Sequence, residues 1–191
     1  MKQLMIKNRL RAALRCDFAR REDGTIAVEA MIIMPMMFWT FLALFSIFDT
    51  YRMYGIHQKA SYTIADAVSR ETLPIDNDYI DGVHDMFEYL ASSQGMTNMR
   101  ISQIKYDADG DRFYKDWSVV RGNNIAALDS NMVENWHDRL PNMVDEERVI
   151  IVETVTDFDP PFNTGLEERE IVNFVFTRPR YAPRVCYYSC D

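Results

Sequence analysis

At 191 residues and 22.4 kDa the chain holds one compact domain plus an anchor, and hardly two domains. A hydrophobic content of 48% supplies a core, and seven glycines and seven prolines exclude a low-complexity chain. The net charge of −8 is unevenly spread, with seven basic and three acidic residues in 1–23 but 14 basic and 25 acidic residues in 49–191, so the body disfavours binding nucleic acid or anionic lipid by charge.

The basic residues of the first segment are Lys2, Lys7, Arg9, Arg11, Arg15, Arg20 and Arg21. An apolar block follows from Thr25 to Phe48, broken by one charge, Glu29, and one proline, Pro35. As a helix it is about 36 Å long, enough to cross a hydrocarbon core of about 30 Å with some tilt. A buried core helix is the competing reading, but the uncharged run from Ala30 to Phe48 is too long and apolar for so small a domain. Basic residues flanking a span stay in the cytoplasm, which puts the N-terminus inside and residues 49–191 outside. A cleaved secretory signal would need small residues after the block, where Asp49-Thr50-Tyr51-Arg52 stands instead.

Glu29 is an acid about one turn inside this block. Read alone, it is a carboxylate favoured by the helix N-terminal dipole. Placed at the centre of a bilayer helix an unpaired acid would cost about 2.5–3.5 kcal/mol, but so near the start of the block it can reach the interface. Pro35 removes one backbone hydrogen bond and crowds the carbonyl of Met31, so a kink or local unwinding is expected there. Met31, Met34, Met36 and Met37 read as adaptable packing surface.

Past Phe48 the helical pattern continues, with Met53, Ile56, Ala60, Ile64 and Ala67 at steps of three and four and a stop near Leu73-Pro74. One helix from about Thr25 to Arg70 is therefore expected, with Gly55 as a candidate bend. A second helix is expected over Asp78–Ser93, ended by Gly95. Arg100–Tyr106 and Arg112–Val120 alternate as a hairpin around Asp107-Ala108-Asp109-Gly110-Asp111. A short helix over Ser130–Arg139 precedes two strands, Arg148–Asp157 and Glu170–Arg178, rich in Val, Ile, Phe and Thr. Their connection holds Pro160-Pro161 and Asn163-Thr164-Gly165, consistent with a long hairpin. The fold class expected is α+β: a long N-terminal transmembrane helix continuing into a head with a small antiparallel sheet.

Candidate chemistry is sparse. Cys186 and Cys190 lie outside the membrane on this topology and have spacing for a small disulfide loop, with two free thiols as the alternative. Cys16 lies in the leader without a partner. The Asp107–Asp111 turn resembles a calcium loop only loosely, because glycine is fourth rather than sixth and the twelfth residue is Ser118. His57, His84 and His137 fit no zinc spacing, and no phosphate loop or nucleophile elbow is present. The acidic runs Asp145-Glu146-Glu147-Arg148 and Glu167-Glu168-Arg169-Glu170 read as solvated leads into strands. No catalytic residue, cofactor or metal is expected.

Gly24 precedes the block, and Glu29 is the fifth residue after it, in Gly24-Thr25-Ile26-Ala27-Val28-Glu29. This resembles the type IV prepilin signal. With Phe18 and Pro35, the stretch is similar to the TadE-like family of minor pilins, or pseudopilins, of the tight-adherence pilus, and Thr177–Pro183 carries a weaker echo. Ala30 stands where that family commonly has an aromatic residue. The resemblance covers about 20–40 residues and implies a pilin-like head and cleavage between Gly24 and Thr25 by a prepilin peptidase. It further implies pairing of Glu29 with the new Thr25 amine of a neighbouring subunit. The organisation it implies is a cytoplasmic leader at 1–24, a membrane helix at 25–48, a helix extension packing on the head at 49–73, and a periplasmic domain at 74–191. The expected location is the bacterial inner membrane, or a pilus. The partners implied are inner-membrane lipid, the peptidase, and other pilus subunits or assembly proteins. The alternative is an uncleaved single-span protein whose outer domain binds a ligand or serves as a scaffold.

Overall fold

The structure is a computed structural model and describes residues 24–92, 97–162, 165 and 167–190. The residues before Gly24, with Cys16 and Phe18, lie outside the described residues, as do Gly95, Asn163 and Thr164.

Helix α1, Thr25–Ser69, has 45 residues and is about 68 Å long. It is unbroken through Pro35 and Gly55. Pro35 has no N–H to offer the carbonyl of Met31, while beyond it Thr40 Oγ1 donates to the Met36 carbonyl at 2.8 Å. The helix ends as Arg70 N and Glu71 N donate to the carbonyls of Ala67 and Val68, just before Pro74. Helix α2, Asn77–Ala91, starts where Asp76 caps the N–H of Tyr79 at 2.8 Å, and it buries Ile80, Val83, Phe87 and Ala91 along one stripe.

Four antiparallel strands follow: β1 Thr97–Asp107, β2 Arg112–Arg121, β3 Arg148–Phe158 and β4 Arg169–Thr177, in the spatial order β2-β1-β3-β4. The two hairpins lie side by side because β1 pairs with β3, Ile101 opposite Val152. Between β2 and β3 the helix expected over Ser130–Arg139 is split. Only Ser130–Val133, α3, is α-helical, and a 3₁₀ turn follows at Trp136–Asp138. Phe113 N donates to the Glu134 carbonyl, which ties the break to the edge of the sheet.

Both sheet faces are covered. On one side Ala60, Ile64 and Val68 of α1 and Phe87 of α2 pack on Met99, Ile101, Ile150, Val152 and Val175. On the other, Leu128, Val133 and Leu140 cover Ile104, Val149 and Ile151. Residues on both faces of β1 and β3 are therefore apolar, as expected of central strands in a three-layer arrangement. Each fully buried large aliphatic side chain contributes about 1.5–3 kcal/mol.

The chain after β4 straps the head together. Arg180 N donates to the Ser69 carbonyl at 2.8 Å, and its side chain pairs with Asp66 at 3.0 Å. Trp117 Nε1 donates to the Val185 carbonyl at 2.8 Å, and Gln103 Oε1 accepts from Val185 N at 2.8 Å. Ile75 N donates to the Cys186 carbonyl at 2.9 Å, joining the helix connection to the tail.

Candidate functional site

The feature that sets this chain apart is the division of α1 into a bare half and a docked half. From Thr25 to Phe41 every residue is exposed. Ile26, Met31, Met34 and Met36 are each more than 70% exposed, as few side chains of this type are in a water-soluble domain. This half is apolar and long enough for a bilayer crossing.

Gly24 is the N-cap residue of α1, at φ −84° and ψ −12°, and Thr25 is the first helical residue. Among the described residues nothing lies within 4 Å of where a Gly24 Cβ would stand, so their packing does not demand glycine there. Glu29 is exposed one turn further on, and among the described residues it makes no hydrogen bond or ion pair. At 100° per residue it lies about 100° round the helix from the line of Ser46 and His57 that faces the head. The residue thus lies on the bare surface, about a quarter-turn from the helix line that meets the chain's own domain. Pro35 lies in the same bare segment, beside a shallow apolar groove formed with Met34, Phe38 and Leu44.

Docking begins at Ser46, inside the apolar block, and continues through His57, Ala60, Ser61, Ile64 and Val68. Ser61 Oγ lies 3.0 Å from Thr154 Oγ1, which also accepts from Asn173 Nδ2 at 3.3 Å, so a polar rivet joins the helix to β3 and β4. His57 is 1% exposed, its Nδ1 has no hydrogen-bond partner, and its ring centroid is 6.0 Å from that of Phe87. Burial lowers its pKa, because the imidazolium would lose hydration without gaining a partner. Apolar periodicity misses His57 and Ser61, since both are polar. Their signal is positional: they stand four apart on the stripe that Ile64 and Val68 continue.

The head carries few polar clusters. Glu153 and Arg100, 10% and 15% exposed, pair across β3 and β1 at 2.6 Å, and Arg100 also donates to the Ala126 carbonyl. Arg139 lies 3.9 Å from Glu153 with its guanidinium over the rings of Trp136 and Phe174. Each acid or base is matched within the chain, so this cluster ties the outer layer to the sheet. The run Asp145–Arg148 is also engaged rather than merely solvated. Asp145 accepts from Ala108 N, Glu146 pairs with Lys105, and Glu147 pairs with Arg178.

Among the described residues, His84, Asp85 and Glu88 form the one grouping with metal-ligand spacing. His84 Nε2 lies 3.1 Å from the Thr97 carbonyl, a bond that occupies one ring nitrogen. In the turn read as a loose calcium loop, Asp111 accepts from Tyr106 Oη at 2.7 Å. Cys186 and Cys190 are joined in a disulfide, Cα–Cα 5.1 Å, in the strap that follows β4.

Compared with protein families, with curated proteins and with solved structures, the chain matches none.

Proposed function

We propose that this chain is a minor pilin or pseudopilin of a tight-adherence-type system, acting by assembly and not by catalysis. The observation that carries the reading is the two-part α1: a bare apolar half led by Gly24-Thr25 and bearing Glu29, and a second half fixed on the head. A helix of this kind serves first as a membrane anchor and then as a packing surface for other helices. Gly24 and Thr25 form the cut site of a prepilin peptidase at the start of the helix. Glu29 then meets the freed Thr25 amine of a neighbour, and a subunit in the wrong register would leave that carboxylate unpaired. The chain sits in the bacterial inner membrane with residues before Thr25 in the cytoplasm and the head in the periplasm. Its partners are the lipid, the peptidase, and other pilus subunits or assembly proteins.

N-terminal sequencing of the protein purified from its own membranes tests this. A start at Thr25 supports the reading, whereas a start at Met1 replaces it with an uncut single-span protein whose head binds a ligand or acts as a scaffold. Glu29→Gln is expected to spare membrane insertion and reduce incorporation into the fibre, and unchanged assembly would count against the register role.

A further inference from the structure

The connection between β3 and β4 does not stop at the edge of the head. Phe162 reaches back along α1 and meets Phe45 edge to face, with ring centroids 5.8 Å apart. Phe45 belongs to the apolar block. From Thr25 to Phe45 the helix rises about 30 Å, the thickness of a bilayer's hydrocarbon core. The two rings thus stand together where that core ends.

The composition of the tip agrees with this level. Pro161 and Phe162 are exposed, Phe162 by 41% and Phe45 by 46%, so one apolar surface runs from the bare helix onto the loop. Prolines suit such a place, because Pro160 and Pro161 bring no backbone N–H that would need a partner out of water. The acids Asp157, Asp159 and Glu168 stand behind the tip, at the base of the hairpin, and are suited to the headgroup layer and its water.

We propose that Pro160-Pro161-Phe162 is a second membrane contact: an interfacial foot that rests in the outer leaflet beside Phe45 and fixes the height and rotation of the head over the bilayer. The ligand is the hydrocarbon boundary of zwitterionic lipid, since the acidic base disfavours an anionic surface. The inference rests on the membrane-spanning reading of α1 but not on peptidase processing or pilus assembly.

The test uses the full chain with Cys16→Ser and the Cys186–Cys190 disulfide intact, reconstituted in vesicles of phosphatidylcholine and phosphatidylethanolamine. Nitroxide labels are placed singly through Phe162→Cys, Ile32→Cys in the middle of the bare helix, and Tyr89→Cys on the far side of α2. Ile32 and Tyr89 are 67% and 84% exposed, so the labels need no repacking. Collision with oxygen, which concentrates in lipid, is compared with collision with a water-soluble nickel chelate. The expected result is that position 162 behaves as position 32 does, favouring oxygen, at a shallower depth, with several-fold less nickel contact than position 89. A label at 162 as open to nickel as that at 89, while 32 stays in lipid, overturns the foot and leaves the span intact. Protection of 162 from both relaxants also overturns it, because a protein surface and not lipid then covers the loop. A water-exposed label at 32 removes the span itself, and the foot with it.

Discussion

Replacing His57 by leucine should stabilise the head, and by more in acid than in alkali. The imidazole is 1% exposed with Nδ1 unpartnered, and a buried polar atom left without a bond costs about 1–3 kcal/mol. Leucine removes that cost at similar volume but gives up the ring contact with Phe87, worth about 0.5–1.5 kcal/mol. The net gain expected near pH 8 is about 1 kcal/mol. The pH dependence has a definite sign. Burial depresses the folded-state pKa below the ordinary 6.5, so the unfolded chain takes up the proton first. The stability that neutral His57 allows is fully present above pH 6.5 and is lost as pH falls below it, by up to about 1.4 kcal/mol per pH unit. The leucine variant lacks this loss, so its advantage over wild type should widen as pH falls from about 8 to about 5.5. Urea unfolding of both proteins in mild detergent, followed by tryptophan fluorescence at the two pH values, measures the difference directly. An advantage that does not change with pH would refute the reasoning, and so would a loss of stability at pH 8.

Three further substitutions probe the packing. Phe87→Ala empties a site that is 0% exposed between α1 and the sheet, and should cost about 3–5 kcal/mol in the same urea titration. Gly122→Ala should cost about 2 kcal/mol, because φ is +94° and the added Cβ would stand 2.2 Å from Asn98 Oδ1. Gly82→Ala, where a Cβ meets nothing within 4 Å in the middle of α2, serves as the control and should instead stabilise slightly. Opening the disulfide through paired Cys186→Ser and Cys190→Ser should cost about 2 kcal/mol by loop-closure entropy, read as a lower urea midpoint than the oxidised wild type.

The parts of this molecule legible in the sequence are those written in local pattern. Helix α1 could be delimited because an uncharged run, then apolar residues at steps of three and four, then Leu73-Pro74 are all features of neighbouring residues. The strands were legible for the same reason. Residues such as Val149-Ile150-Ile151-Val152 are β-branched without interruption, and the Asp107–Asp111 cluster between β1 and β2 is turn chemistry. Glu29 and Pro35 were legible as the one charge and the one proline of the apolar block, and Gly24 and Thr25 only through the resemblance of the segment to a prepilin signal. The structure adds that Thr25, Glu29 and Pro35 lie in the bare half of the helix, with Gly24 as its N-cap.

What the sequence by itself determined is therefore the inventory: a bare apolar half-helix, an amphipathic continuation, two hairpins and a pair of cysteines four residues apart. Only tertiary structure decided how these meet. The order β2-β1-β3-β4 depends on pairing Ile101 with Val152, which lie far apart in the chain and are chosen by matching apolar faces. Tertiary packing also placed His57 and Ser61 in the interior, because the stripe they occupy is fixed by where the sheet lies and not by their own polarity. It split the helix at Glu134, whose carbonyl serves β2, and it carried Phe162 back to Phe45. Local free-energy preferences act over a few residues and can be read along the chain. Burial and pairing act across space, and their outcome exists only once the whole head has closed on α1.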